Sequence, residues 1–448
     1  MLRTTTLVSK VGIRDQAEIE TLIIHLRDKG YLPVIRSMFT GMFSLAKLPE
    51  PDHALITKVI TSTSSRFMRE PREILGDLFF TTDLVYALIP VEADLLQTSV
   101  FGYRDGEEAL RKFCADIEEG IKTRFDGRRI RGMKFGWKTQ KLPPSRYIRR
   151  RYAPYEAFFE EVGEGEVVKL ESSEPNYSSE DVGAAKFLVD IEIRQFILKL
   201  AQLGKIRSKD AAEITKPAIL QRLLSLGLVA EEYLLTCRQD QHTICVVPSQ
   251  DHLTKEPMAS LRCSVCGRSF PEENLQVIYT LTERGKKLID GSLWMSIWIT
   301  ELLKENGVRK ETVRWGLEAS GEELDIMVED FDARIFFELK DREFGLGDAY
   351  PFVYRITRYG GRVGIVATMD KISTDAKKFF EEEIRRRDYH MDIRYLEGSE
   401  SIQHGVTKLI EDMSLLQVRR LVQPFSLRVS FELWPIVERW INVRMESP

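Results

Sequence analysis

The sequence predicts a multidomain α/β protein, and three observations carry that prediction. The chain has 448 residues, which suits two to four domains. Helix-type amphipathic stretches alternate with short apolar runs of strand type along most of it. An acidic stretch rich in Gly and Ser, "EEVGEGEVVKLESSEPNYSSEDV", interrupts the alternation as an exposed linker would. Hydrophobic residues make up 43% and charged residues 30%, a globular composition rather than a disordered one. There is no run of about eighteen apolar residues, so no membrane span is expected. The start, "MLRTTTLVSKVGIRDQ", lacks the apolar stretch of a signal peptide, and a cytoplasmic location is expected. The net charge of −4 neither marks nor excludes a nucleic-acid binder, because the distribution of charge matters more than the sum.

Residues 1–160 read as an N-terminal α/β or α+β domain whose role the sequence does not give. "IRDQAEIETLIIHLRDKGY" has the spacing of an amphipathic helix, and "LVYALIPV" that of a buried strand. "DGEEALRKFCADIEEGIKTRF" is a second such helix, with Asp105 as candidate N-cap. From Lys122 to Tyr152 there are twelve Lys or Arg residues against one acid, Asp126. Phe125, Phe135, Trp137, Tyr147 and Tyr152 are interleaved. Such a stretch is either a phosphate- and base-binding surface or a solvated basic face with aromatics turned inward. Arg149, Arg150 and Arg151 form its densest part. Residues 161–183 are the expected acidic linker.

Residues 184–290 have a distinct order of elements. "AAKFLVDIEIRQFILKLAQLG" reads as one helix, "SKDAAEI" as a short second and "TKPAILQRLLSLGLV" as a third. A strand, "EEYLLT", follows, and "LQVIYTLTERGKKLID" is a strand running into a helix. With its "Y-x-L-T-x-x-G" form at Tyr279–Gly285, this order resembles a winged helix-turn-helix domain. The resemblance implies that the third helix enters the major groove of DNA and makes Lys216, Gln221 and Arg222 candidate contacts.

Four of the five cysteines, Cys237, Cys245, Cys263 and Cys266, fall where the wing is expected. In a reducing compartment that clustering suggests metal rather than disulfides. Cys263-x-x-Cys266-Gly267 has the form of a zinc knuckle: two thiolates on a tight turn, with glycine letting the backbone curl around the ion. The other half is less regular, since Cys237 and Cys245 have seven residues between them. A four-thiolate structural zinc site in a ribbon-like insert over 237–266 is expected. A mixed site with His242 or His252 stays open.

The stretch "GEELDIMVEDFDARIFFELKD" raises a different question. Alternation along a strand puts Phe336, Glu338 and Lys340 on one face, with Glu338 and Lys340 about 7 Å apart at their Cα atoms. In the preceding strand Asp325 lies opposite the apolar face of Leu324, Ile326 and Val328. Charged groups are costly to bury unless paired, and a metal ion would be such a partner. Paired as neighbours, the strands would let Asp325 and Glu338 converge on one divalent cation beside Lys340. Such a group can cut a phosphodiester: carboxylates hold Mg²⁺ or Mn²⁺, a bound water is activated, and the lysine stabilises developing charge. The alternative is a cross-strand salt-bridge cluster.

Asp325 in "GEELDIMV" and Glu338-Leu339-Lys340 in "FFELK" resemble the motif of the PD-(D/E)xK nuclease superfamily, the restriction-endonuclease-like fold. The flanking order fits over about 291–397, with "LWMSIWITELLKENG" as the first helix and "TVRWGLEAS" as the first strand. The resemblance implies a further metal ligand on that helix, for which Glu301 is the candidate. On the next helix Arg355 and Arg358 are either contacts to the scissile phosphate or solvated surface. Leu324 replaces the motif's proline. The helical segment 398–448 is expected either to complete the nuclease core or to form a dimer or partner interface.

Together these readings imply a metal-dependent DNA endonuclease of restriction, defence or repair type, with catalytic Mg²⁺ or Mn²⁺ and structural zinc. Two alternatives stand beside it: a non-catalytic DNA-binding regulator or assembly subunit on a nuclease-like scaffold, and an RNA nuclease.

Overall fold

The structure is a computed structural model that describes residues 2–11, 13, 15–36, 76–81, 83–92, 95–103, 106–127, 133–139, 171–319, 322–331, 333–358, 361, 363–387, 391–428 and 433–445. It is a mixed α/β chain in two compact units, one of 1–168 with 408–448 and one of 169–407. No described helix is long and apolar enough to cross a membrane.

In the first unit, β1 (Arg3–Lys10) leads to α1 (Gln16–Asp28), whose first turn is capped by Asp15 accepting from the Glu18 N–H. Then come β2 (Leu32–Pro33), β3 (Asp77–Phe80), β4 (Leu84–Glu92), β5 (Leu95–Gly102), α2 (Glu107–Arg124) and β6 (Lys134–Thr139). The strands form one sheet in the order β2-β3-β4-β5-β1-β6, antiparallel throughout. Strand alternation sends Leu7, Tyr86 and Val100 into one core with Ile19, Leu22 and Phe113 of α1 and α2. Phe125, Phe135 and Trp137 pack against that core, and the Trp137 indole donates to Glu118 at 3.0 Å. These three aromatics of the basic stretch therefore follow the inward-turned alternative. Asp105 and Arg149–Arg151 lie outside the described residues.

The second unit begins inside the expected linker. Residues 171–173 form β7 (Glu171–Ser173), and α3 (Ser179–Leu188) opens with a capping box between Ser178 and Asp181. A polar edge strand and an N-cap share the composition of a linker, which hid them. The expected single helix over 184–204 is two, α3 and α4 (Ile191–Leu203), because Asp190 caps the second through the Glu192 N–H. Arg194 then donates to the Leu188 and Val189 carbonyls, closing the end of α3, and stacks over Trp294.

β8 (Lys205–Arg207), α5 (Ser208–Ile214), α6 (Pro217–Ser225), β9 (Val229–Thr236), β10 (Thr243–Val247), β11 (Asn274–Leu281) and α7 (Glu283–Ile289) follow. Their sheet has the order β10-β9-β11-β8 and is antiparallel. Gly285 is required where α7 meets the chain entering β9, since a Cβ there would lie 2.3 Å from the Leu228 carbonyl oxygen.

Next are α8 (Leu293–Glu305), β12 (Val313–Ala319), β13 (Glu322–Asp330), β14 (Ala333–Lys340), α9 (Leu346–Arg358), β15 (Val363–Thr368), α10 (Thr374–Arg387) and β16 (Asp392–Glu397). The sheet order is β16-β15-β14-β13-β12-β7. From β7 to β14 the pairing is antiparallel, and β14, β15 and β16 are parallel, with α9 and α10 as the crossovers. Met327, Phe336 and Val366 pack on Phe352, Ile356 and Phe380 from those crossovers. Trp315 donates to Thr300 at 2.9 Å, tying β12 to α8.

The C-terminal helices are α11 (Ser399–Arg428) and α12 (Trp434–Met445). From Lys408 onward they belong to the first unit. Val418, Leu421, Phe425, Ile436, Val437 and Trp440 form a core with Phe80, Val85 and Phe101 of the first sheet. Trp440 meets Phe80 and Phe101 edge-on at 6.1 and 6.0 Å. This corrects the expectation that the segment completes the nuclease-like core. Its apolar faces were legible, but apolarity does not specify which sheet they cover.

Candidate active site and metal centre

The β13–β14 ladder runs from Asp330 with Ala333 to Ile326 with Phe337, and Asp325 and Glu338 lie just beyond that end, where the charges of both act on Lys340. Leu324, Met327 and Phe336 are buried together under α9 and α10, so alternation along β13 is interrupted at Asp325. Asp325 Oδ2 accepts the Leu339 N–H at 2.6 Å. Glu338 is 7% exposed, and each of its oxygens meets a cation. Lys340 Nζ is 2.9 Å from Oε1, and Arg355 Nη1 is 3.1 Å from Oε2. Burial lowers the Lys340 pKa, but the Glu338 and Asp325 carboxylates raise it by more, so it shifts upward.

The cluster is thus closed by its own charges. Arg355, a candidate phosphate contact, stands on Glu338 instead. The Arg358 side chain is outside the described residues. Glu301 accepts from Tyr177 Oη and from Lys304 Nζ, both at 2.6 Å. Burial pushes its carboxyl up, and these two donors pull it below the ordinary value. Tyr177 stacks on Trp315 with 5.3 Å between ring centres. Among the described residues, no third His, Cys, Asp or Glu completes a metal-ligand set with Asp325 and Glu338. The structure accordingly does not bring Glu301 to them.

The second cluster does form a ligand set. The Sγ atoms of Cys237, Cys263 and Cys266 and a carboxylate oxygen of Glu273 all lie within 4.8 Å of one another, as do ligand atoms of Cys237, Asp240 and His242. This group can hold a metal ion. Glu273 is 4% exposed. One of its oxygens accepts the Arg238 N–H at 2.7 Å and the other the Cys266 thiol. Cys245 is not part of the set: it sits on β10 opposite Leu235, against the apolar cluster of Leu235, Val247 and Leu253. His252 belongs to no set either. Spacing between cysteines could not reveal Glu273, because its approach depends on a 3₁₀ turn at Phe270–Glu272.

On α6, Gln221 and Arg222 are exposed, while Lys216 pairs with Glu192 at 2.7 Å.

No family model and no curated protein matches the chain. Solved structures similar to parts of it include the following two. Protein VC1899 from Vibrio cholerae is 11% identical over 56% of this chain and 59% of its own, with a TM-score of 0.30. A repair endonuclease from Pyrococcus abyssi is 15% identical over 41% of this chain and 97% of its own, with a TM-score of 0.18. The chain therefore spans about six-tenths of the length of the Vibrio cholerae protein. Neither likeness assigns an activity to it.

Proposed function

We propose that the chain is a metal-dependent DNA endonuclease of the PD-(D/E)xK type, with a zinc-bearing winged helix at 184–290. One observation carries this reading. Asp325 on β13 accepts the Leu339 N–H of the adjacent strand β14, beside Glu338, and Lys340 contacts Glu338 and is acted on by both carboxylates. Mg²⁺ is commonly held by one or two carboxylates plus water and substrate phosphate, so two carboxylates suffice. The ion, Mg²⁺ or Mn²⁺, would supply charge neutralisation at phosphorus and a water of lowered pKa. Asp325 and Glu338 would hold it. Arg355 holds Glu338 Oε2 and Lys340 contacts Oε1, so a bound ion would compete with one of these cations for Glu338. A displaced Lys340, a charged ammonium, is then free to turn to the phosphate. Gln221 and Arg222, with Lys216, are the proposed duplex contacts, and Arg149, Arg150 and Arg151 the proposed phosphate contacts.

The ion pairing of Glu338 on both oxygens favours a second reading, a nuclease-like scaffold in a DNA-binding regulator or assembly subunit. One assay separates the readings. Plasmid DNA, single-stranded DNA and RNA are incubated with Mg²⁺ or Mn²⁺ and either wild type or Asp325→Ala. Metal-dependent nicking of DNA that disappears in the variant supports the endonuclease. Cleavage of RNA alone makes it an RNA nuclease. DNA binding with no cleavage of any substrate supports the scaffold.

A further inference from the structure

Two turns of the same build face each other across the thiol cluster. In the first, the Cys237 N–H donates to the His242 carbonyl and the Gln241 N–H to the Cys237 carbonyl, both at 2.9 Å. Gln241 has φ +65°. In the second, the Cys263 N–H donates to the Arg268 carbonyl and the Gly267 N–H to the Cys263 carbonyl, again both at 2.9 Å. Gly267 has φ +75°. The residues therefore correspond: Cys237 with Cys263, Asp240 with Cys266, Gln241 with Gly267, and His242 with Arg268. The second turn carries thiols at its first and fourth places. The first turn carries a thiol at the first place and a carboxylate at the fourth.

That carboxylate is occupied within its own turn. Asp240 Oδ1 hydrogen-bonds His242 Nδ1. The other imidazole nitrogen, Nε2, is 3.9 Å from Cys263 Sγ. We propose that His242 Nε2 fills the fourth coordination position of a zinc ion held by Cys237, Cys263 and Cys266, with Asp240 as the residue that positions the imidazole. The proposal rests on the reading of the thiol cluster as a zinc centre, and it replaces Cys245 in that centre.

Three arguments support it. A carboxylate accepting the Nδ1 proton leaves the Nε2 lone pair for the metal and fixes the ring plane, the usual support of a zinc-bound histidine. Zinc bonds of about 2.0–2.1 Å to nitrogen and about 2.3 Å to sulfur place such ligands roughly 3.6 Å apart in a tetrahedron, close to the contact seen. Three thiolates and a neutral imidazole leave the zinc centre with one net negative charge, whereas a carboxylate in that place would leave two. Glu273, the competing ligand, has a different task. It takes the Arg238 N–H from the first turn and contacts Cys266 in the second, strapping the two turns together.

The test uses the full chain, stripped of metal and reloaded with Zn²⁺ or Co²⁺. Zinc affinity is read by competition with a chelating dye. The cobalt absorption bands report the ligand set, and thiolate-to-cobalt charge transfer reports the number of sulfurs. Cys245→Ser is expected to match wild type in both. His242→Ala is expected to weaken zinc about 100-fold and to shift the cobalt bands. Asp240→Asn should weaken zinc by about tenfold, the lower end for a supporting group, with thiolate charge transfer unchanged. Because the turns correspond, Asp240→Cys added to His242→Ala should restore affinity and add a fourth thiolate's charge transfer. A double variant that stays weak overturns the proposal, whether His242→Ala misfolds or not. So does a Glu273→Gln protein whose cobalt bands move while those of His242→Ala do not, and so does loss of metal in Cys245→Ser. Wild type that binds neither ion removes the zinc reading itself, an outcome distinct from all of these.

Discussion

The two ligand clusters differ in what balances their charge. Around Glu338 the chain supplies its own cations, Lys340 at 2.9 Å and Arg355 at 3.1 Å. Around Cys237, Cys263 and Cys266 the close groups are another thiol, the Glu273 carboxylate, the His242 ring and backbone N–H groups. Carboxylates on neighbouring strands can be satisfied by a lysine two residues on and an arginine from the helix above. Such a cluster is stable without an ion, and an ion must displace a partner to enter. Three thiols gathered within 4.8 Å gain little from one another, and a metal ion, which this group can hold, would make their convergence favourable. One centre is a closed ion-pair group that can open; the other is a set of donors aimed at a common point.

Metal removal is the strongest way to break this comparison. Zinc binding contributes roughly 10 kcal/mol in isolated zinc-finger peptides, so chelation should collapse the loop that joins the two turns. Hydrogen exchange should show protection lost over 237–273 and kept over 322–340. Equal loss in both segments, or in neither, would mean that the centres do not differ in this way.

The next effect is on chemistry. On the endonuclease reading, Asp325→Ala should reduce cleavage by at least about 1,000-fold, since the ion would contribute several kcal/mol to the barrier and each 1.4 kcal/mol is tenfold. Cys263→Ser, under conditions where it stays folded, should cleave at nearly the wild-type rate. A thiol variant that loses turnover without losing DNA affinity would tie the zinc centre to the reaction.

Stability gives a smaller and sharper contrast. Two carboxylates alone would repel, and removing one would relieve strain. With Lys340 and Arg355 against Glu338 that balance reverses. Glu338→Gln keeps the shape and strands two partly buried cations, at a cost of about 3 kcal/mol. Urea unfolding would show it as a lower midpoint with an unchanged slope. A stabilised variant would mean that repulsion between Asp325 and Glu338 outweighs both ion pairs.

How much of this was legible follows from which geometry each feature depends on. Glu338 and Lys340 could be placed on one face because strand alternation has a fixed period of two, whereas alternation is interrupted at Asp325, whose neighbour Leu324 joins the core of Met327 and Phe336. Arg355 could be placed on the right helix, but its partner depends on how α9 packs over the sheet. At the thiol cluster, Cys263 and Cys266 were legible from their spacing and Gly267. Cys245 was a misleading choice. Its neighbour in the sheet is Leu235, while the turn at Cys237 closes through hydrogen bonds four and five residues on, which no cysteine count encodes. The polar strand at Glu171–Ser173 was hidden by linker-like composition, and the docking of Trp440 by the fact that an apolar helix face fits more than one sheet.

The smallest expected effect lies in the pH dependence, where the two centres should fail at opposite ends. Metal-binding thiolates compete with protons, so the proposed zinc centre should release its ion as pH falls. Lys340 behaves in the opposite sense. Burial alone would lower its pKa, yet Glu338 and Asp325 raise it above the ordinary value of 10.5. For a base whose folded pKa is raised, the unfolded chain loses its proton first. The stabilisation is therefore fully present below the unfolded value and is lost as pH rises through the folded one. Melting temperatures of wild type and Lys340→Met, measured at neutral pH and upward through the lysine range, should differ by a constant amount at first. That gap should then shrink at the alkaline end. A gap that stays constant through the alkaline end would mean that Lys340 is not the group that holds Glu338 in the folded chain.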